Sequence, residues 1–347
     1  MKNRGLFTDK PEHLLIEEFE DLPLGEKQIR IQSDFSAIKH GTEFHHFTGK
    51  SPFDEMTFDG KMRMFVEKPK EEMVYHKTAF GNTTVGRILE VGKGVTRFTV
   101  GEMVYAYGPI AKRAVVEEQF TFKLHEGMNE YDAVCMDPAL YAFGAVRDSK
   151  ARAGDKVVVF GLGAIGMLII QLLRLSGCME IIAVDPIAKR REQALQYGAT
   201  LAIDPVNEDV GLTVHQYLDS VGADIAIEAS GSYQALYTAM KCVRKCGSIV
   251  TLGYYKGKDS VLALGQEWMH NRLTLISSMP TWDNPQRDYP LWDEQRITQT
   301  LEQMFVRGML TSEGIVDPVV PFEQSVSAIM EVYRNPSNSI KLGVRYD

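Results

Sequence analysis

Residues 157–173 read VVVFGLGAIGMLIIQLL, and the parsing of this stretch decides the fold. Val157 to Phe160 form an unbroken β-branched and aromatic run, the signature of a strand buried on both faces. Gly161, Gly163 and Gly166 follow as GxGxxG, and apolar helix formers continue to Leu173. Between a strand and a helix the three glycines serve a tight turn, close backbone approach to a pyrophosphate, and close helix–strand packing. Ala164, Ile165 and Gly166 then open the helix, where N–H groups without intrahelical acceptors and the positive dipole end suit phosphate. Asp185 stands nineteen residues after Gly166, at the end of the next apolar run. A carboxylate there accepts from ribose hydroxyls and repels a 2′-phosphate. The stretch predicts a dinucleotide site that favours NAD over NADP. The basic run Lys189-Arg190-Arg191 pulls weakly the other way, and Arg190 is counted with the cofactor residues.

Outward from this unit the pattern alternates. Strands are expected at 180–185, 201–203, 225–228 and 248–252, and helices at 189–197, 214–221 and 233–243. That rhythm, with near-continuous apolar strands, predicts a doubly wound parallel sheet. The sequence before it is β-rich, with runs at 28–33, 84–91 and 103–107 separated by glycine turns, and a helix is expected over 132–148. After Ser278 the text becomes irregular, with Pro280, Pro285 and Pro290. Helices near 294–307 and 322–333 and a strand at 340–344 close it. The expected division is 1–138, 139–278 and 279–347.

Composition fits this reading. The 347 residues are 44% apolar and 24% charged, which excludes disorder and leaves room for about two domains. A net charge of −8 argues against unspecific binding to nucleic acid or anionic lipid. The longest apolar run, 157–170, holds three glycines and falls short of the roughly 20 residues that span a bilayer. Charged residues run through the stretch from Met1 to Leu24, so no secretory signal is read and a cytoplasmic location is expected. Four cysteines form no disulfide framework. Cys242 and Cys246 read as neighbours on one helix, without the spacing of a zinc knuckle.

Longer motifs carry a resemblance. KHGTEFHHFTG (39–49), GRILEVGKGVTRFTVGEMV (86–104), GDKVVVFGLGAIG (154–166), DPIAKRREQALQYGA (185–199), IEASG (227–231) and CGSIVTLG (246–253) stand in one order along the chain. Together they resemble the medium-chain dehydrogenases/reductases of the zinc-type alcohol dehydrogenase family. KHGTE, the stretch 51–65, FGNTTVG (80–86), CMDPA (135–139) and DYPLW (288–292) are similar to the bacterial D-guloside 3-dehydrogenase branch. The resemblance implies a Rossmann domain, 139–278, inserted in a β-rich GroES-like catalytic domain formed by 1–138 and the C-terminal return 279–347. It also implies Ser230 and Gly253 at the dinucleotide, and a homodimer or homotetramer.

The resemblance further implies zinc ligands at three places, and the chain departs at each. His40 stands at the first, Gly81-Asn82-Thr83 replaces the Gly-His-Glu segment, and Asp137 stands at the third. Zinc is therefore not expected; an ion, if held at all, would fall to His40, Asp137 and Cys135. In place of the metal, His40 is expected as the base that takes a hydroxyl proton, with Thr42 and His45 at the relay positions. Asp137 would orient His40 or bind a hydroxyl pair. Lys39 and Glu43 are candidate sugar contacts, and Trp292 is either a sugar-stacking platform or a core residue. The expected activity is NAD-dependent oxidation of a ring hydroxyl, C3 of a glycoside, or reduction of the 3-keto sugar. The alternatives are a polyol or alcohol dehydrogenase with an atypical zinc site, and a dinucleotide-binding protein without turnover.

Overall fold

The computed structural model describes residues 2–49, 52–69, 75–255, 261–279 and 291–347. The stretch Pro280–Pro290, with Asp288, Tyr289 and Pro290 of DYPLW, and Ser51 lie outside the described residues. Two compact units form, one from residues 1–134 with 316–347, the other from 135–315.

The second unit is built on a six-stranded parallel sheet. Its spatial order is Leu201–Ile203, Glu180–Val184, Lys156–Phe160, Ala223–Glu228, Val243–Thr251, Thr274–Ser277. The β-branched run at Val157–Val159 is fully buried, as an inner parallel strand covered on both faces must be. From Lys156–Phe160 the chain steps outward through two strands, then crosses back to Ala223–Glu228 on the other side. The carboxyl ends of these two central strands therefore flank a topological switch point, where doubly wound folds bind ligands.

Three local expectations need correction. The helix expected at 214–221 is Val210–Tyr217, because Asp209 caps it by accepting the Leu212 N–H at 3.1 Å, and Asp219 and Ser220 turn away at φ 54° and 68°. Cys242 and Cys246 do not share a helix. The helix Tyr233–Cys242 ends at the first, which is buried, and the second is exposed in the strand Val243–Thr251 at φ 60°. Finally, residues up to Ile315 cluster with the parallel sheet, beyond the break read at 278. The Gln171 amide accounts for this: it donates to the Thr311 carbonyl at 3.1 Å and accepts from its N–H at 2.9 Å. The Tyr197 hydroxyl likewise donates to the Glu313 carbonyl. The other break falls between Val134 and Cys135, inside the helix Glu130–Ser149, rather than at 138/139.

In the first unit the main sheet runs Thr121–Lys123, Met103–Tyr107, Thr83–Val91, Gln28–Ala37, Lys341–Arg345, Val316–Pro321. Arg113–Glu117 also pairs with Gln28–Ala37. Within Gln28–Ala37, Ile29 and Ile31 are buried in a cluster with Ile88, Val104 and Val116. The strand Lys341–Arg345 pairs antiparallel with Gln28–Ala37 and parallel with Val316–Pro321, so the C-terminal return completes the sheet of the N-terminal residues. No helix among the described residues is long and apolar enough to cross a membrane.

Candidate functional site

The glycine turn of the second unit has the geometry of a dinucleotide cradle. Gly161 sits at φ 86°, and a Cβ there would lie 2.7 Å from the Ser230 nitrogen. A Cβ on Gly166 would lie 2.0 Å from the Gly161 carbonyl oxygen, so this glycine lets the helix Ala164–Leu175 press against the turn. Gly163 differs from both. A Cβ there meets nothing within 4 Å, so the bare side of the turn faces space that a phosphate would take. As N-cap, Gly163 brings no side chain to the helix start, which leaves the first N–H groups, those of Ala164 and Ile165 included, for a ligand. The residues fit a dinucleotide.

Asp185 closes the adenosine side. It is buried, accepts the Leu162 N–H at 2.8 Å and the Ile187 N–H at 2.9 Å, and so ties the glycine turn to the next strand. Each oxygen keeps a second lone pair for a ribose hydroxyl. Arg190 stands 3.7 Å from this carboxylate, and Arg191 donates to the Asp185 carbonyl and pairs with Asp204 at 3.1 Å. Two of the three cations of the basic run are thus turned toward acidic partners.

Ser230 and Gly253 are placed by a residue the motifs did not single out. Glu228, with no solvent exposure, ends its strand and accepts the Ser230 N–H at 2.7 Å, the Ser230 hydroxyl, the Gly231 N–H at 3.2 Å and the Tyr255 hydroxyl. Its carbonyl accepts the Gly253 N–H at 3.3 Å. Burial pushes the carboxyl above the usual range while these donors pull it back. The signal was one acidic residue closing an apolar strand.

The first unit gathers the other candidates at the helix His40–Phe47. Phe44 and Phe47 anchor it, their rings 5.4 and 5.2 Å from Tyr333, in a core with Leu6, Ile38 and Leu342. His40 stacks on Phe44 at 5.6 Å, and its Nε2 accepts the Leu342 N–H at 3.2 Å. With that lone pair engaged, the neutral ring carries its proton on Nδ1. The lone pair that His40 would need as the proton-taking base is thus shared with the Leu342 N–H. Glu43 Oε2 accepts the Lys39 N–H at 2.6 Å, and the Gly81 N–H also reaches the carboxylate. Its Oε1 is buried with no hydrogen-bond partner among the described residues. Burial pushes Glu43 up to about 7, opposed by those N–H groups and by the Lys341 and Lys39 charges. Lys341 was not singled out by sequence; it is buried, and its ammonium donates to the Ile38 carbonyl at 2.8 Å. Thr42 is exposed on the same helix, whereas His45 is buried.

Asp137 and Cys135 belong to the second unit, both buried on the helix Glu130–Ser149. Trp292 lies beside Phe143, with ring centroids 5.4 Å apart. The guanidinium carbons of Arg147 and Arg296 stand over the indole at 3.9 and 4.1 Å. The indole is thus engaged by two cations of its own unit.

Residues 164–292 match the zinc-binding dehydrogenase family. The D-guloside 3-dehydrogenases of Escherichia coli K12 and Shigella flexneri are 36% and 35% identical to this chain over 350 residues, covering 99% of it and 100% of each relative. The chain belongs to the zinc-type medium-chain dehydrogenases. The 2R,3R-butanediol dehydrogenase structure from Bacillus subtilis superposes with a TM-score of 0.79 at 20% identity, covering 99% of this chain and all of that one. L-idonate 5-dehydrogenase from Escherichia coli gives 0.78 at 14%, covering 99% and 98%. These two likenesses show the fold.

At the positions of the family's zinc ligands the described residues of this medium-chain dehydrogenase fit zinc poorly. Histidine binds zinc through a ring-nitrogen lone pair, and His40 Nε2 is engaged by Leu342. The Thr83 hydroxyl donates to Asn82 Oδ1 at 3.0 Å, so these neutral groups serve each other. Cys135 and Asp137 are two apart on a helix and do not face the same side. Among the described residues no three His, Cys, Asp or Glu side chains are placed to hold an ion.

Proposed function

We propose that this dehydrogenase oxidises a secondary hydroxyl of a sugar ring, at C3 of a glycoside, with NAD as hydride acceptor, or reduces the 3-keto sugar. The observation that carries the substrate class is the full-length likeness to two D-guloside 3-dehydrogenases. The buried Asp185 carboxylate at the ribose end of the cradle supports NAD over NADP. NAD, when bound along Gly161–Gly166 and Asp185, supplies the hydride acceptor.

The chain must then manage the hydroxyl proton, because a carbinol gives up hydride only as its O–H is deprotonated. The residues of the first unit divide this work. His40 donates through Nδ1 to the reacting oxygen and holds it while its charge changes. Glu43, poised near neutral pH with an oxygen not yet used, takes up the proton passed on by the Thr42 hydroxyl. Lys39 contacts the sugar hydroxyls.

The test is NADH formation by purified protein against a panel of glycosides, polyols and simple alcohols, with NADP in parallel and with and without a strong chelator. Glycoside-dependent reduction of NAD, chelator-insensitive and followed by recovery of the 3-keto product, is the expected outcome. Turnover of polyols with no glycoside active assigns the chain to polyol chemistry instead. NADH binding without turnover of anything in the panel favours a non-catalytic protein. Activity lost on chelation and restored by zinc overturns the metal-free proton path.

A further inference from the structure

We propose that Glu228 is a positioning residue for the dinucleotide: its carboxylate holds the loop against which the pyrophosphate turn is packed. The proposal rests on the reading that the second unit binds NAD. Glu228 Oε1 takes both the N–H and the hydroxyl of Ser230, and Oε2 takes the Gly231 N–H and the Tyr255 hydroxyl. Four donors converge on one buried acceptor, from the turn after its own strand and from the turn after Val243–Thr251.

The residue type is what this convergence requires. An ionised carboxylate is acceptor-only, so it meets four donors without conflict. A Gln amide of the same shape would point an NH₂ at two of them. Burying a carboxylate is costly unless several donors compensate it. A position that only filled space would be met at lower cost by an apolar residue, as at the neighbouring Ile225 and Ile227, both buried.

What the clamp holds is the wall of the cradle. The Ser230 nitrogen and Cβ lie 2.7 and 2.8 Å from where a Gly161 Cβ would be, so the two backbones touch without an intervening side chain. The Ala229 N–H donates to the Phe160 carbonyl at 2.8 Å, fixing the same junction one residue earlier. On the far side a Gly253 Cβ would lie 2.2 Å from the Gly231 nitrogen. Three turns, at Gly161, Ser230-Gly231 and Gly253, are thus stacked backbone on backbone. If Ser230 shifts, the Gly161 turn loses its support and the phosphate-facing N–H groups lose their aim. Asp185, at the adenosine end, is held by Ile187 as well as by Leu162 of the turn and shares no donor with Glu228.

The experiment compares the full-length protein with Glu228→Gln, titrating NADH by fluorescence and adenosine by competition. Loss of charge-assisted bonds is expected to weaken NADH about 10–100-fold, with adenosine unchanged within about twofold. In turnover the KM for NAD rises by a similar factor while kcat holds within about threefold. An unchanged NADH affinity overturns the proposal, and so does equal weakening of NADH and adenosine, which reports general loosening. Should Glu228→Gln fail to fold, Tyr255→Phe removes one donor and keeps the carboxylate. It is expected to weaken NADH about 3–10-fold with the same adenosine control, and no change overturns the proposal. Failure of the unsubstituted protein to bind NADH would instead remove the reading underneath.

Discussion

The two units each bury a glutamate, and the two are treated differently. Glu228 in the second unit meets four donors, two on each oxygen. Glu43 in the first unit meets the Lys39 and Gly81 N–H groups and leaves Oε1 buried with no partner among the described residues. Burial raises both carboxyls. A saturated carboxylate is a fastener; its lone pairs are used up in holding loops still. An unsaturated one leaves a destabilisation of about 1–3 kcal/mol in place. Such a group persists where its spare valence has a use. The parallel-sheet unit is held rigid at this point, whereas the first unit leaves an acceptor unused.

The sharpest way to break this contrast is at Glu43. Glu43→Gln is expected to lower kcat on the order of 10²–10⁴-fold while leaving NADH affinity unchanged, and to abolish the rise of rate with pH through about 7. His40→Asn, which removes a donor rather than the acceptor, should cost less. The reverse ranking in steady-state kinetics would return the base to His40.

Gly163→Val comes next, because a Cβ there has no neighbouring atom within 4 Å. Dinucleotide affinity should fall at least about 100-fold, with the melting temperature within about 2 °C of the parent. Normal NAD binding by calorimetry would mean that the turn does not face the pyrophosphate. Asp185→Ser should raise NADP use relative to NAD by about tenfold or more, read as a ratio of kcat/KM values. Equal use of both cofactors by the parent would remove the basis for that selectivity.

The smallest effect is on stability. Glu43 titrates higher folded than unfolded, so its contribution is complete below the unfolded value of 4.5 and is lost as pH rises through about 7. The melting-temperature advantage of the parent over Glu43→Gln should shrink by a few degrees between pH 5 and 8. A constant difference across that range would show that Glu43 does not change charge there.

The parallel sheet was legible because its strands are continuous apolar runs and its glycines carry steric duties that no other residue performs. The hairpin Lys2–Lys10 with His13–Glu20 was not read, since charged residues interrupt the alternation along both strands. The helix His40–Phe47 was legible as a motif but not as a helix; glycine, threonine and aromatic residues fill it, and tertiary packing on Tyr333 and Phe80 holds it. The departure from the Gly-His-Glu segment could be read directly from Asn82 and Thr83. The state of His40 could not, because its partner Leu342 is 302 residues away in sequence. The contact of Trp292 with Arg147 was hidden for a similar reason: Arg147 lies on a distant helix.

The pairing of Lys341–Arg345 with Gln28–Ala37 also sets a schedule on the ribosome. The N-terminal 134 residues cannot complete their sheet until the last strand has emerged, after the whole of 135–315 has been made. At about 5–20 residues per second that interval is on the order of ten seconds or more. Through it Phe35, Ser36 and Ala37 lack their strand partner, since Arg113–Glu117 covers only Gln28–Gln32 of that edge, while the parallel unit, continuous in sequence, can fold as soon as it is complete. Nascent chains halted before residue 341 should therefore present a finished dinucleotide unit beside a first unit that is sticky, protease-sensitive and dependent on chaperones.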